Sequence, residues 1–304
     1  MDNPKLWIFL ALGVVGLVYL VTWARALAAG RARGNGPAVP SPLQTAIGFV
    51  TNFFDTLGIG SYAPTTAMFR FFRLVPDEKI PGTLTLGHTL PTIIQSFIFI
   101  AIVQVDFKTL VLLIGAAIVG AWLGAGVVAR WPKRNIQIGM GLALVAAAAL
   151  FTMANLGIVA AGGTAVGLSG TRLIAGLLGN FVLGALMTLG IGLYGPCLIM
   201  ISLLGMEPRT AFPIMMASCA FLMPVAGVRF SRAQAYSARP ALGLALGGIP
   251  AVLLAALWVK SMPLVAVRWL VVAVVLIAAV GLLRSAFGGP TTPPGEMPRP
   301  SAQP

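Results

Sequence analysis

Apolar residues run along this chain in long blocks, separated by short polar clusters. The first block, residues 6–24, ends at Arg25, with Arg31 and Arg33 beyond it. Further blocks cover 43–69, 80–104, 109–129, 135–157, 173–206, 210–228, 240–259 and 264–283. Most have the length that crosses a hydrocarbon layer of about 30 Å at about 1.5 Å per helical residue. Block 173–206 carries no charge over 34 residues. As one straight helix it would be roughly 50 Å long, so it must kink or fold back. Between the blocks, 30–42 (GRARGNGPAVPSP) reads as a Gly/Pro-rich linker and 158–171 as a loop rich in Gly, Ser and Thr. Residues 288–304 read as a disordered Pro/Gly-rich tail.

Two of the blocks share a nonapeptide. Residues 56–64 read Thr56-Leu57-Gly58-Ile59-Gly60-Ser61-Tyr62-Ala63-Pro64, and 188–196 read Thr188-Leu189-Gly190-Ile191-Gly192-Leu193-Tyr194-Gly195-Pro196. Seven of nine positions are identical at an offset of 132. Pro76 and Pro208, and Pro81 and Pro213, keep that offset, and Trp131-Pro132 aligns with Met262-Pro263 at 131. The chain therefore reads as an N-terminal transmembrane helix (1–29), a cytoplasmic linker (30–42), repeat 1 (43–157), a connecting loop (158–171), repeat 2 (172–287) and the tail. Each repeat is one broken segment followed by three spans. Ala26-Leu27-Ala28 resembles a signal-peptide cleavage site, but apart from Lys5 the cations follow the first apolar stretch. A retained helix with its N-terminus outside is the expectation.

The cations suggest how the broken segments lie. If each dips in and returns to the side it left, 14 of the 20 Lys and Arg face the cytoplasm; if each crosses, the split is ten to ten. Cytoplasmic loops are enriched in Lys and Arg, which favours the re-entrant arrangement. Three true crossings per repeat then invert one repeat relative to the other, an arrangement many secondary transporters use. The expected fold is an all-α polytopic membrane protein: two inverted repeats, each one re-entrant segment plus three transmembrane helices, and an extra N-terminal transmembrane helix.

Non-helical backbone at membrane depth persists only where protein or water satisfies it. Gly58, Gly60, Gly190 and Gly192 let the chain turn close to a ligand, and Pro64 and Pro196 suit the first turn of the following half-helix. The N-termini of two such half-helices, with free N–H groups and partial positive charge, could hold an anion without a buried cation. Thr56, Ser61, Tyr62, Thr65, Thr188 and Tyr194 could add hydroxyl donors. The plainer alternative is that Gly and Pro permit close packing. Asp55 is the one acid inside an apolar block and His88 is the one histidine; either could couple protons. Asp55 could instead cap the break, and His88 could be a hydrogen-bonded packing residue. Their partner positions, Met187 and Ala220, carry no such group. Thr83, Thr85, Thr89, Thr92 and Gln95 make the span of His88 unusually polar. Asn52 and Asn180 could face a cavity or bond across helices. The pairs Gly120/Gly124 and Gly243/Gly247 read as helix-packing GxxxG motifs.

Composition narrows the functional classes. The chain is 58% hydrophobic and 9% charged, against about 25% charged in a soluble domain. The formal net charge of +13 sits in short loops with no basic stripe, so it indicates no nucleic-acid partner. Cys197 and Cys219 have no CxxC spacing and read as small buried hydrophobes. No HExxH, metal cluster or P-loop is present, and no cofactor is expected. Gly167-Leu168-Ser169-Gly170 resembles the GxSG of rhomboid-type intramembrane serine proteases, but the histidine precedes the serine, opposite to that family.

The two halves, each opening with a Gly-x-Gly break followed by Pro (Gly58-Ile59-Gly60…Pro64 and Gly190-Ile191-Gly192…Pro196), resemble the sulfite exporter TauE/SafE family, also called the 4-toluene sulfonate uptake permeases. The resemblance covers about residues 43–287 and places helix 6–24 outside the shared core. Family members usually have a denser glycine run where this chain has Ser61-Tyr62 and Leu193-Tyr194. The resemblance implies a multi-pass protein of a bacterial inner membrane, a transporter rather than an enzyme, that exports or admits small sulfur-containing anions such as sulfite or sulfonates. The alternative reading is a passive, channel-like permease. Its partners are then a small anionic solute and the bilayer, with a homo-oligomer left open.

Overall fold

A computed structural model describes residues 4–32, 39–158, 163–190, 192–258 and 264–287. Ile191, the Met262-Pro263 pair, Lys260, the tail 288–304 and parts of the linker and connecting loop lie outside the described residues. Among those described the chain is helical, with an isolated bridge between Ala165 and Met206 and no strand. The first half runs α1 (Pro4–Ala32), α2 (Pro42–Thr56), α3 (Tyr62–Phe71), α4 (Ile80–Ile102), α5 (Phe107–Val128) and α6 (Lys133–Asn155). The second runs α7 (Gly170–Met187), α8 (Tyr194–Leu203), α9 (Ala211–Arg232), α10 (Ala238–Trp258) and α11 (Leu264–Phe287).

The apolar blocks become these helices with small shifts at their ends. Helix α1 continues to Ala32, past the expected start of the linker at residue 30, because Ala26, Leu27, Ala28 and Ala29 are strong helix formers. Helix α2 starts where Ser41 and Gln44 form a capping box around Pro42. The Asp106 side chain accepts from the Thr109 N–H and so fixes the start of α5.

Among the described residues six helices, α1, α4, α5, α7, α9 and α10, are long and apolar enough to cross a membrane. Leu6, Trp7, Leu10, Val14 and Leu17 on α1, and Val119 and Leu123 on α5, are exposed. An apolar surface of that extent requires lipid around it. The chain is a multi-pass membrane protein.

Matched helices pack against each other or trade partners. Helices α4 and α9 run antiparallel: Phe99 stacks on Phe212 with ring centroids 5.2 Å apart at one end, and Gly82 faces Phe230 at the other. Helices α6 and α11 are also antiparallel, since Gly141 abuts Leu283 and the Arg134 guanidinium lies 5.7 Å from the Phe287 ring. Helix α2 lies along α10, and its counterpart α7 lies along α5. The GxxxG pairs make those contacts. A methyl group on Gly120 would meet the Phe181 carbonyl of α7, and one on Gly247 would meet the Thr45 carbonyl of α2. Helix packing is thus the work of these glycines.

Both broken segments turn back. Asn52 faces His88, and Asp55 and Thr56 face Gln95, so α2 runs in the same direction as α4. Helix α3 then returns to where α4 begins, and Arg70 in its last turn pairs with Asp77 at 2.5 Å. Gln137, near the start of α6, donates to the same Asp77 oxygen at 2.9 Å. In the second half Gly179 faces Met200, Gly176 faces Leu204, and Arg172 faces Gly205, so α8 doubles back along α7. That hairpin opens where α5 begins, since the Leu168 N–H bonds to Thr109 at 2.9 Å. Helix α5 begins where α4 ends. The two hairpins therefore enter the bundle from opposite ends.

Candidate functional site

The helix breaks follow from glycine geometry. Gly58, Gly60 and Gly190 have φ of 86°, 87° and 88°, a left-handed conformation that other residues adopt only with strain. At the end of α2 the Gly58 N–H bonds to the Asp55 carbonyl at 2.9 Å, and the Gly190 N–H bonds to the Met187 carbonyl at 3.0 Å. These bonds close the last turns of α2 and α7 before the chain reverses. The next helices start Tyr62-Ala63-Pro64 and Tyr194-Gly195-Pro196. Each proline falls in a first turn, where its missing N–H leaves no helical carbonyl unpaired.

The two tips meet inside the bundle. A methyl group placed on Gly60 would lie 3.9 Å from Cβ of Tyr194, and one on Gly192 would lie 3.8 Å from Cβ of Tyr62. The contact is reciprocal: each glycine faces the tyrosine of the other tip. Between the tips is a cavity of about 10 Å³, room for one water molecule. Asp55, Gly60, Ser61, Tyr62, Gly192 and Tyr194 line it. Leu193, Thr92 of α4, and Met187, Cys219 and Met223 complete the wall. Among the described residues no Lys or Arg lines it.

A hydrogen-bonded chain ties one tip to the other half. The Tyr194 hydroxyl donates to Gln95 Oε1 at 2.7 Å, and Gln95 Nε2 donates to Asp55 Oδ2 at 2.8 Å and to the Thr56 hydroxyl at 3.0 Å. Asp55 and Gln95 are 2% and 0% exposed. A buried carboxyl with an amide donor and a tyrosine beyond it is an ionisable group built into the protein interior at membrane depth. Met187, at the partner position of Asp55, faces the same cavity, and its sulfur accepts from the Cys219 thiol at 3.5 Å.

The remaining expected residues lie behind this wall. Thr56 donates to the Asn52 carbonyl at 2.8 Å and Thr188 to that of Ala185 at 2.7 Å, so both hydroxyls serve their own helices. Gly58, Gly190, Pro64 and Pro196 shape the tips without lining the cavity. Thr65 is buried against His88 Nε2 at 3.2 Å. His88 is fully buried, and its Nδ1 lies 3.0 Å from Asn52 Oδ1. Asn52 Nδ2 donates to the Gly48 carbonyl at 2.7 Å, which turns its oxygen toward the ring. His88 then donates from Nδ1 and accepts at Nε2 from Thr65. Its ring stands 5.8 Å from that of Tyr62, whose hydroxyl reaches Thr85 at 3.4 Å. Asn180 bonds across helices to the Leu113 carbonyl at 2.7 Å and to Ser218 at 3.0 Å. Ser218 accepts from the Asn180 amide, whereas His88 bonds to the Asn52 oxygen, so the two asparagines are held differently in the two halves.

The protease-like motif has no partner histidine here. Ser169 is the exposed N-cap of α7, while both nitrogens of His88 are bonded within the bundle. Gln95, Thr92, Cys219 and Met223 were absent from the expected site. An intramembrane glutamine and one of only two cysteines were the available signals, but neither has a repeat counterpart to mark it.

A family model described as Sulfite exporter TauE/SafE matches residues 3–151. The match begins at residue 3 and so takes in α1, which the sequence had placed outside the shared core. No curated protein and no solved structure matches the chain. The matched half carries the first broken hairpin, and the second half repeats it down to the nonapeptide at the opposed tip. Over residues 3–151 the chain matches the sulfite exporter TauE/SafE family.

Proposed function

We propose that this protein is a secondary transporter of a small anion, of the sulfite or sulfonate class, across the bacterial inner membrane. The observation that carries the reading is the reciprocal contact between the Gly60 and Gly192 tips. Two half-helix N-termini there offer N–H donors to an anion, and the Tyr62 and Tyr194 hydroxyls become available only if their bonds to Thr85 and Gln95 break. In the conformation described, the cavity has space for a water and not for a sulfur oxyanion. The tips must separate for the anion to enter, as alternating access requires. Two inverted repeats, supported by the antiparallel packing of α4 on α9 and α6 on α11, would let the tips open to either face in turn.

Asp55 sits in the wall of this cavity and supplies the coupling. A carboxylate there repels an anion, so the anion binds with Asp55 protonated and a proton travels with it. His88 holds Asn52 and Thr65 in place beside the first tip; its two bonded nitrogens favour a positioning role over a relay. Flux into proteoliposomes, measured for sulfite, thiosulfate, sulfoacetate, taurine and plain carboxylates, tests the proposal. Saturable flux of the sulfur oxyanions supports it, and flux of none of the anions contradicts it.

A further inference from the structure

At the mouth of the first hairpin, one carboxylate holds several elements together. Asp77 sits in the 3-10 turn Asp77–Lys79 that leads into α4. Its Oδ2 accepts from Arg70 Nη1, in the last turn of α3, at 2.5 Å and from Gln137 Nε2 of α6 at 2.9 Å. Arg70 also lies against α11, where a methyl group on Gly281 would stand 3.4 Å from Nη2. The Arg70 and Asp77 side chains are 17% and 16% exposed and Gln137 is 5% exposed, so water screens these bonds less than those of a surface pair. One turn further along α6, the end of Met140 lies 3.6 Å from where a methyl group on Gly190 would stand, and Leu84 of α4 lies 3.8 Å from the same point. Both side chains are buried. The turn of the second tip is thus covered at this end by one side chain from α4 and one from α6, and Asp77 ties those two helices together at the mouth.

The mouth of the second hairpin is held another way. The Gly163 N–H bonds to the Met206 carbonyl at 3.0 Å, the Glu207 N–H to the Ala165 carbonyl at 2.8 Å, and the Asp106 N–H to the Val166 carbonyl at 2.8 Å. These backbone bonds join the end of the second hairpin, the connecting loop and the start of α5. The positions that align with Arg70, Asp77 and Gln137 are Ser202, Arg209 and Arg268, and none is an acid. Ser202 bonds to the Leu198 carbonyl of its own helix at 2.8 Å.

We propose that the seam between α4 and α6 is a gate to the tip cavity, with Asp77 as its latch and Leu84 and Met140 as its plug. The gate rests on the reading of the opposed tips as the substrate site. Release of Gln137 from Asp77 frees α6 from the start of α4. Met140 moves with it, because it stands three residues on along the same helix face. Water and solute then pass the Gly190 turn and reach the cavity. Release of Arg70 frees the return arm of the first hairpin at the same time. The backbone bonds at the other mouth have no single side chain to let go. The two faces therefore open by different means, and the latch controls one face only.

Cys219 lines the tip cavity and is 1% exposed, so it reports the opening. In a Cys197→Ser background it is the one thiol of the chain. Its rate of modification by a small membrane-impermeant methanethiosulfonate is measured in proteoliposomes, with reagent on the Asp77 side or on the opposite side. Asp77→Asn should raise the rate from the Asp77 side at least about fivefold and leave the rate from the other side no higher. Met140→Ala, which shortens the plug and keeps the latch, should raise the same rate. Asp77→Glu, which keeps the carboxylate, should stay nearer wild type than Asp77→Asn. Arg209→Gln, exposed at the opposite mouth, should change neither rate. Wild-type rates in both Asp77→Asn and Met140→Ala would overturn the gate, and so would equal rises from both sides, which mark a loosened fold. The readout uses no anion, so a failure here is distinct from a failure of the flux test of the tip site.

Discussion

The Tyr194 hydroxyl donates to Gln95 Oε1 at 2.7 Å, joining the tip of the second hairpin to a helix of the first half. Because Gln95 also donates to Asp55, the tip and the buried acid share one amide. Movement of the second hairpin therefore changes the hydrogen bonding of Asp55. In the proposed transport cycle, this amide would link substrate entry to proton binding.

Gln95→Leu should break this link. It removes one donor from Asp55 and leaves the Tyr194 hydroxyl short of its acceptor, each a loss of about 1–3 kcal/mol in a buried setting. Anion flux in proteoliposomes should fall at least about tenfold, and the melting temperature in detergent should drop. Tyr194→Phe removes one bond and should cost less on both measures. Equal flux in wild type and Gln95→Leu would disconnect the amide from transport.

Asp55→Asn fixes a neutral group where a neutral acid is needed for anion entry. Exchange of labelled anion down its gradient should persist. Accumulation driven by a pH gradient, with anion entering from the acid side, should vanish, as should its sensitivity to a protonophore. Wild-type protein should show both. A wild type indifferent to protonophore would be a passive permease instead.

Much of this organisation was legible in the sequence because it rests on glycine, proline and charge. The repeated Thr-Leu-Gly-Ile-Gly signalled two breaks, since helices tolerate those residues poorly. The distribution of Arg70, Arg73, Lys79 and Arg130 against Arg172 and Arg209 suggested re-entrant hairpins, and α3 and α8 do fold back. Individual side chains were harder to read. Thr56 and Thr188 looked like donors to a ligand, yet in a helix a threonine hydroxyl readily bonds the carbonyl three or four residues back. Gln95 lies forty residues from Asp55 and ninety-nine from Tyr194, so only tertiary packing brings the three together.

Gly120→Val and Gly247→Val should act on stability rather than on the site. Each side chain would drive into a backbone carbonyl of the neighbouring helix, Phe181 or Thr45. Overpacking of this kind costs about 1–3 kcal/mol or more. The variants should melt earlier in detergent, and any that reach the membrane folded should retain substrate selectivity. A Gly120→Val protein as stable as wild type would contradict the close approach of α5 and α7.

The most direct test is flux of sulfite into proteoliposomes by Gly60→Leu and Gly192→Leu, with Gly115→Leu as the control. Gly115 has nothing within 4 Å of an added methyl group, whereas leucine at either tip fills the cavity and presses on the opposite tyrosine. Both tip variants should lose at least about tenfold in flux per folded protein, Gly192→Leu at wild-type reconstitution and Gly60→Leu at a lower yield because of its φ of 87°, while Gly115→Leu transports normally. Normal sulfite flux in both tip variants would contradict an anion site between the hairpins.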